Sequence, residues 1–326
     1  MEDPTPVPIA IATPQGPDGN TIPTPQPLDK MDWDDAEWDR FISKVRLKMV
    51  TPFLGAGACY PTLPLGGEIA REWARNEPRY PFPDSSNLVR VAQCLAILAE
   101  DRDEPKVKII KRLGAIGPPD FNRPDEIHRL VADMELPIYI TTNYDDFMFK
   151  ALERAQPARR PVRLTCEWYK DRTRMKAERS KRVNPSAETP LVFHLHGNFN
   201  DKDSIVISED DYLDFLIALS ENSKELLPTS VEEAFTSSSF LFLGYSLEDM
   251  NFKVIFRKLA NYRTGQGRKH FSVQLRPKIP GEPPTPQERA LAQLQLNYLY
   301  SQFNTIDVKV FWGTCSEFAT EVRKHL

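Results

Sequence analysis

Six short apolar runs, separated by stretches with helical spacing, constrain this chain more than any other feature. They are MVTPFLG (49–55), PIYITT (137–142), LVFHLHG (191–197), SFLFLG (239–244), FSVQL (271–275) and VKVFW (308–312). Each is continuous in apolar character and rich in β-branched or aromatic residues, as a strand covered on both faces must be. Between them lie amphipathic patterns. Residues 87–99 place Leu88, Val91, Leu95 and Leu98 on one face, and residues 248–260 do the same with Phe252, Ile255, Phe256 and Leu259. Alternation of this kind predicts an α/β fold with a mostly parallel sheet and helices on both faces.

Other stretches read as additions to that core. Residues 67–135 hold about four helical patterns and no strand, which predicts a helical insert between the first two strands. Residues 157–189 are basic, carrying ten Lys and Arg from Arg159 to Arg182. Such a run is either a solvated face or a contact surface for nucleic acid or an acidic partner. Residues 276–288 read as a Pro-rich surface loop. Eight of the 29 prolines fall in the first 27 residues. With almost no large apolar side chains, residues 1–30 cannot offset their ordering entropy and read as a disordered tail. The folded body is expected over 31–326, opening with a helix that carries Trp38, Phe41, Ile42 and Val45.

Composition removes several classes. Hydrophobic residues make up 40% of the chain and the net charge is −4, which argues against a protein built mainly to grip nucleic acid. No apolar run approaches the ~20 residues needed to cross a bilayer. The N-terminus lacks the basic start and apolar block of a secretory signal. Cys59, Cys94, Cys166 and Cys315 are far apart and form no CxxC, so a Cys-rich zinc knuckle is excluded and free thiols in a reducing cytoplasm are expected.

Ligands of an open parallel sheet bind outside the carboxyl ends of its strands. Four such ends carry chemistry. In FLGAGACYP (53–61), Gly55 and Gly57 follow a strand, where glycine lets backbone N–H groups approach a pyrophosphate. A plain tight turn explains the same residues, and Tyr60 stands where a dinucleotide fingerprint has its third glycine. In ITTNYDD (140–146), Asn143 offers a donor and an acceptor, while Asp145 or Asp146 is placed to cap the following helix. In FHLHGNF (193–199), His194 and His196 are read as facing opposite sides. His194 is then a core residue, and His196, beside Gly197, faces the cleft as a general base. In FLGYSLEDMNF (242–252), Gly244 ends a strand and Ser246 either caps the next helix or holds a ribose hydroxyl.

Taken in order, GAGA, TTNYD, HG and GYSLEDMN resemble the sirtuin family over about residues 45–275. The forms are closest to bacterial sirtuin-like defence proteins of the Thoeris-type and HerA-associated systems. The resemblance implies a Rossmann-like sheet with NAD+ lying across the carboxyl ends of the strands. It implies that Gly55, Ala56, Gly57 and Ala58 pack against the pyrophosphate and nearby ribose, with Thr142 beside them. Asn143 would hold the nicotinamide-side ribose or the attacking water, and Asp145 the nicotinamide carboxamide. His196 would be the base, and Gly244, Tyr245 and Ser246 would contact the adenosine half.

Departures from the deacylating sirtuins shift the expected reaction. The HG is followed by NFNDKDSIVISEDDY, with no paired cysteines, so no zinc is expected. Leu65 and Gly66 replace the Asp and Phe of the deacylase Ile-Pro-Asp-Phe stretch, and Thr142 replaces its Gln. These changes favour NAD+ as a substrate cleaved with water, and the resemblance to the defence proteins implies a bacterial anti-phage enzyme that depletes NAD+. Such an enzyme needs restraint, by homo-oligomerisation, by a partner such as a HerA-type ATPase, or by further domains. A deacylase or ADP-ribosyltransferase, and a non-catalytic module binding NAD or nucleic acid, are the alternatives.

Overall fold

The computed structural model describes residues 33–170, 183–245, 269–276 and 308–326, together with 285, 288, 291 and 294. The tail 1–30, the helix expected at 248–260, most of 276–288 and the site residue Ser246 lie outside them. Two compact units divide the chain, one of Asp32–Arg276 with Asp307–Leu326, the other of Met1–Met31 with Pro277–Ile306. All named elements belong to the first.

Seven strands form one parallel sheet: β1 (Val50–Leu54), β2 (Ile138–Thr141), β3 (Val162–Thr165), β4 (Leu191–His194), β5 (Ser239–Leu243), β6 (His270–Gln274) and β7 (Val308–Trp312). Their order is β3-β4-β2-β1-β5-β6-β7. The described helices are α1 (Asp35–Arg46), α2 (Gly66–Arg75), α3 (Leu88–Ala99), α4 (Glu104–Leu113), α5 (Ile127–Asp133), α6 (Phe147–Glu153), α7 (Glu209–Leu226), α8 (Thr229–Ser237) and α9 (Cys315–His325). The chain leaves β1 toward β2 on one side and later returns to β5 on the other. Strand order therefore reverses at β1, which opens a crevice at its carboxyl end, as in Rossmann-like sheets.

The six apolar runs all become strands, and β1, β5 and β7 stop directly before Gly55, Gly244 and Gly313. One strand was not expected. Val162–Thr165 lies inside the basic stretch and pairs in parallel with Leu191–His194 at the sheet edge. Its four residues are only half-buried, so it lacks the continuous apolar signature of the inner strands.

Helix starts follow from local chemistry. Asp34 caps α1, accepting from the Glu37 amide at 2.8 Å, and the Glu37 carboxylate accepts from the Asp34 amide. Thr314 with Glu317 and Ser208 with Asp211 repeat this reciprocal cap at α9 and α7. On one face of the sheet, α1, α5, α6 and α9 bury Phe41, Leu130, Met148 and Phe318 against Leu54, Tyr139, Leu241 and Phe271. On the other, Phe53 and Phe242 pack beside Phe240, whose ring lies 4.8 Å from Phe235 of α8. Between β1 and β2 the chain builds α2 to α5. Of these, α2, α3 and α4 make a second core around Ile69, Trp73, Val91 and Ile109, whereas α5 joins the sheet.

The tightest backbone approach is at the carboxyl ends of β1 and β5. Gly244 has φ +71°, and a Cβ there would meet the Ala58 nitrogen at 2.0 Å. Gly244→Ala is expected to lower the unfolding free energy by more than about 2 kcal/mol. Gly117→Ala, with nothing within 4 Å of the added carbon, should stay within about 0.5 kcal/mol. Urea unfolding of the two variants checks the contrast.

Candidate active site

The GAGA turn is a short 3-10 segment, Ala56–Ala58, directly after β1. Three of its amides are committed to protein carbonyls. Gly55 N–H donates to Leu243 at 2.8 Å, Gly57 to Gly244 at 2.9 Å and Ala58 to Gly55 at 2.9 Å. A Cβ on Gly55 or Gly57 would meet Gly244 backbone at 2.9 Å. The closeness that glycine permits here is therefore to the neighbouring strand end. The expectation that these N–H groups aim at a phosphate gives way, for these three, to sheet-end packing.

Leu54 supplies the carbonyl around which the adjacent strand ends gather. It accepts from Thr142 N–H at 3.0 Å, from the Thr141 hydroxyl at 3.2 Å and from the Tyr245 hydroxyl at 3.0 Å. With its proton directed to Leu54, Tyr245 accepts from the Thr142 hydroxyl. The Tyr245 ring stands edge-on to Phe53 with centroids 5.4 Å apart. Thr142 and Tyr245 thus bond to each other.

Asn143 follows in the same turn, half-buried, its backbone N–H held by the Thr141 hydroxyl at 2.9 Å. Its amide nitrogen donates to the Gly55 carbonyl at 3.0 Å and to Cys59 Sγ at 3.1 Å. A backbone carbonyl can only accept, so this contact fixes which end of the amide is nitrogen. Both amide hydrogens are committed, and the carbonyl oxygen is what Asn143 offers the crevice. Asp145 is buried, with Oδ1 accepting from Phe147 N–H at 2.9 Å and Oδ2 from Cys59 Sγ at 3.3 Å. Of the two aspartates read as caps, Asp145 is the one whose side chain bonds the first turn of α6.

The sequence reading missed three residues that complete this cluster. Cys59 is buried between Asn143 and Asp145, and His128 Nε2 lies 3.8 Å from its sulfur. His128 Nδ1 in turn meets Glu126 Oε1 at 2.7 Å. His128 lies far in sequence from the four strand ends, yet the start of α5 brings it against Cys59 at the end of the GAGA turn. Burial first, then the Asp145 carboxylate, push the Cys59 thiol well above its ordinary value, which keeps it protonated. Burial acts to raise Glu126, but its hydrogen bond to His128 and the charge beside it outweigh burial and lower it.

The two histidines after β4 diverge, but not through strand alternation. Residues two apart on one strand share a face. They part because β4 ends at His194 and the chain turns into Gly197, which has φ +94°. His194 is buried, as expected, and its Nδ1 lies 3.0 Å from the Asn143 carbonyl, so it props up the backbone of Asn143. His196 is also buried, its ring edge-on to Tyr212 at 5.3 Å and Phe215 at 5.0 Å. Its Nε2 has no hydrogen-bond partner. Burial pushes His196 down to about 3, so the imidazole is neutral near neutral pH. No hydrogen bond joins it to Asn143 or Asp145.

Part of the basic stretch is described, and three of its charges are paired there. Arg159 meets Glu135 at 2.6 Å, Lys170 meets Glu167 at 2.6 Å, and Arg163 meets Asp146 at 2.9 Å while lying 4.3 Å above the Phe149 ring centre. Residues 171–182, including Arg172, Arg174 and Arg179, lie outside the described residues. Among the described residues no group of three His, Cys, Asp or Glu is placed to hold a metal ion, and no helix is long and apolar enough to cross a membrane.

A parallel sheet whose order reverses at β1, with asparagine, aspartate and histidine near its carboxyl ends, is where an open α/β sheet places a ligand. The SIR2-like domain family matches residues 137–299, half of the chain, and the chain belongs to that family. NAD(+) hydrolase ThsA of Enterococcus faecium is 27% identical over 149 residues, covering 45% of this chain and 27% of that protein. NAD(+) hydrolase ThsA of Acinetobacter baumannii (strain 532279) is 22% identical over 235 residues, covering 72% of this chain and 44% of that protein. The chain therefore spans less than half the length of these curated relatives. The solved structure described as "Structural Basis for the Mechanism and Regulation of Sir2 Enzymes" overlaps 89% of this chain and 97% of its own, with a TM-score of 0.39 and 11% identity.

His196 gives the site a pH signature. Its ordinary value is 6.5 and its folded value about 3. Between these the unfolded chain takes up a proton that the folded chain refuses, so stability falls as pH drops from about 6.5 toward 3. His194, lowered chiefly by burial, acts in the same direction. In His196→Leu, the slope of unfolding free energy against pH over this range should flatten by about one proton. An unchanged slope in denaturant titrations would mean that the ring is solvated.

Proposed function

We propose that this chain is an NAD+ glycohydrolase, cleaving the bond between nicotinamide and ribose with water to give ADP-ribose and nicotinamide. The observation that carries the reading is the orientation of Asn143. With both amide hydrogens held by Gly55 and Cys59, its oxygen is available as a fixed acceptor. An acceptor of that kind suits a ribose hydroxyl or the proton of an attacking water. The names of the ThsA relatives supply the substrate class.

The chemistry asks little of the protein beyond placement. Nicotinamide leaves as a neutral pyridine from an oxocarbenium-like transition state, so no acid is needed to protonate it. What is needed is a held ribose, nearby negative polarity and a water on the open face. Asn143 orients that water through its oxygen. His196 stays neutral, and its unpartnered Nε2 is an acceptor for a ribose hydroxyl or the water proton once substrate displaces the apolar surround. Asp145, with both oxygens bonded inside the protein, supports the turn from beneath while its charge favours the developing cation. The role proposed for this activity is NAD+ depletion in the cytoplasm during bacterial anti-phage defence, restrained by self-association or by a partner ATPase.

Chromatography of NAD+ incubated with the protein, alone and with its assembly partners, tests the reading. ADP-ribose and nicotinamide should appear in equal amounts without any added acyl-lysine peptide. Asn143→Ala should lower kcat by about 10²-fold or more. Turnover unchanged in that variant would place the chemistry elsewhere, and strict dependence on an acylated peptide would make the enzyme a deacylase.

A further inference from the structure

The buried groups beneath Asn143 are arranged in a directed chain. Asn143 Nδ2–H points to Cys59 Sγ at 3.1 Å, and the thiol points to Asp145 Oδ2 at 3.3 Å. Behind the sulfur stand His128 Nε2 at 3.8 Å and, through His128 Nδ1, Glu126 at 2.7 Å. His128 Nδ1 faces Glu126, which turns Nε2 toward the thiol. Cys59 donates its single proton to Asp145 and accepts from Asn143, which a neutral thiol can do at once, with the His128 ring packed behind the sulfur. Its raised pKa is in keeping with that neutral form. Removing the sulfur leaves one Asn143 hydrogen without an acceptor and Asp145 Oδ2 without its donor.

We propose that Cys59, backed by the His128–Glu126 pair, is a positioning residue that holds the Asn143 carboxamide with its oxygen toward the substrate. Gly55 alone can anchor one amide hydrogen, but rotation about the terminal torsion of asparagine is soft. The second anchor at sulfur removes that freedom. The direction of the chain also matters. A donor at position 59 facing Asn143 would compete with the amide hydrogens and turn the oxygen inward. His128 and Glu126 act one step further back by crowding the thiol toward Asp145 and Asn143. This inference rests on the NAD+ glycohydrolase reading for its kinetic consequences, but the hydrogen-bond chain itself can be read without turnover.

The kinetic test is a double-mutant cycle on NAD+ hydrolysis, with thermal melts of each variant. Cys59→Ala should lower kcat between about tenfold and 10²-fold while KM changes little, as expected when a reacting group is misplaced rather than lost. Cys59→Ser, which keeps a donor and an acceptor, should recover much of that loss. In an Asn143→Ala background, Cys59→Ala should have almost no further effect on kcat, because its target is gone. Additive losses, a loss confined to KM, or a Cys59→Ala rate equal to wild type would overturn the proposal. The second test is spectroscopic. The S–H stretch of Cys59, assigned by its disappearance in Cys59→Ser, should shift in Asp145→Asn and in Asn143→Ala, and more weakly in His128→Gln. A band insensitive to Asp145→Asn and Asn143→Ala sinks the chain whatever the turnover. If wild type hydrolyses no NAD+ under any condition, the functional reading fails and the infrared result alone decides this one.

Discussion

Two strand ends meet through bare backbone where β1 and β5 finish. Gly55, Gly57 and Gly244 lie so close that side chains are excluded from all three, and the Gly55 and Gly57 amides are satisfied across the gap. This contact sets the position of everything that follows β1 in the chain. The Leu54 carbonyl is left pointing at β2 and Tyr245, where three donors reach it. Asn143 then finds Gly55 at hydrogen-bond distance, and Cys59 enters the space beneath. Widening the gap by one methyl group moves the turn and with it both anchors of Asn143.

Buried polar groups cost free energy unless their partners are complete, and the crevice contains two opposite cases. Around Cys59 the groups satisfy one another, which rigidifies them before any ligand arrives. His196 Nε2 is one of a few buried side-chain atoms left without a partner among the described residues. It lies against aromatic rings of α7, in a setting that penalises charge and rewards any hydroxyl brought to it. One part of the crevice is ordered in advance, and the other is completed only by what binds.

The inner strands were legible because burial on both faces leaves a continuous apolar run that nothing else in a soluble chain imitates. β3 was not, since an edge strand half-open to water can carry Arg163, whose charge pairs with Asp146 and whose plane covers Phe149. At the site, Thr142, Asn143, Asp145 and Gly244 were legible as polar or glycine residues directly after apolar strands. Cys59, Glu126 and His128 carried no such mark. His128 is 69 positions from Cys59, and its neighbours Ile127 and Leu130 advertise only a helix face. The packing of α5 against the sheet, which no local pattern encodes, is what brings the imidazole to the thiol. The facing of His194 and His196 was misjudged in its reason: residues two apart share a face on a strand, and these two part only because β4 stops at His194.

Trp33 donates its indole N–H to the Val310 carbonyl at 3.0 Å, across 277 positions of sequence. Its ring also packs edge-on to Phe318 of α9, and Glu37 of α1 pairs with Lys309 of β7. The apolar face of α1 is thus covered by the last strand and last helix described. During synthesis that face is covered in full only once residues beyond 318 have emerged, although Phe271 of β6 reaches Phe41 earlier, and closing so long a loop is slow relative to local helix formation. Trp38, Phe41 and Ile42 therefore gain the last part of their cover late in synthesis, after most of the sheet is already available to pair.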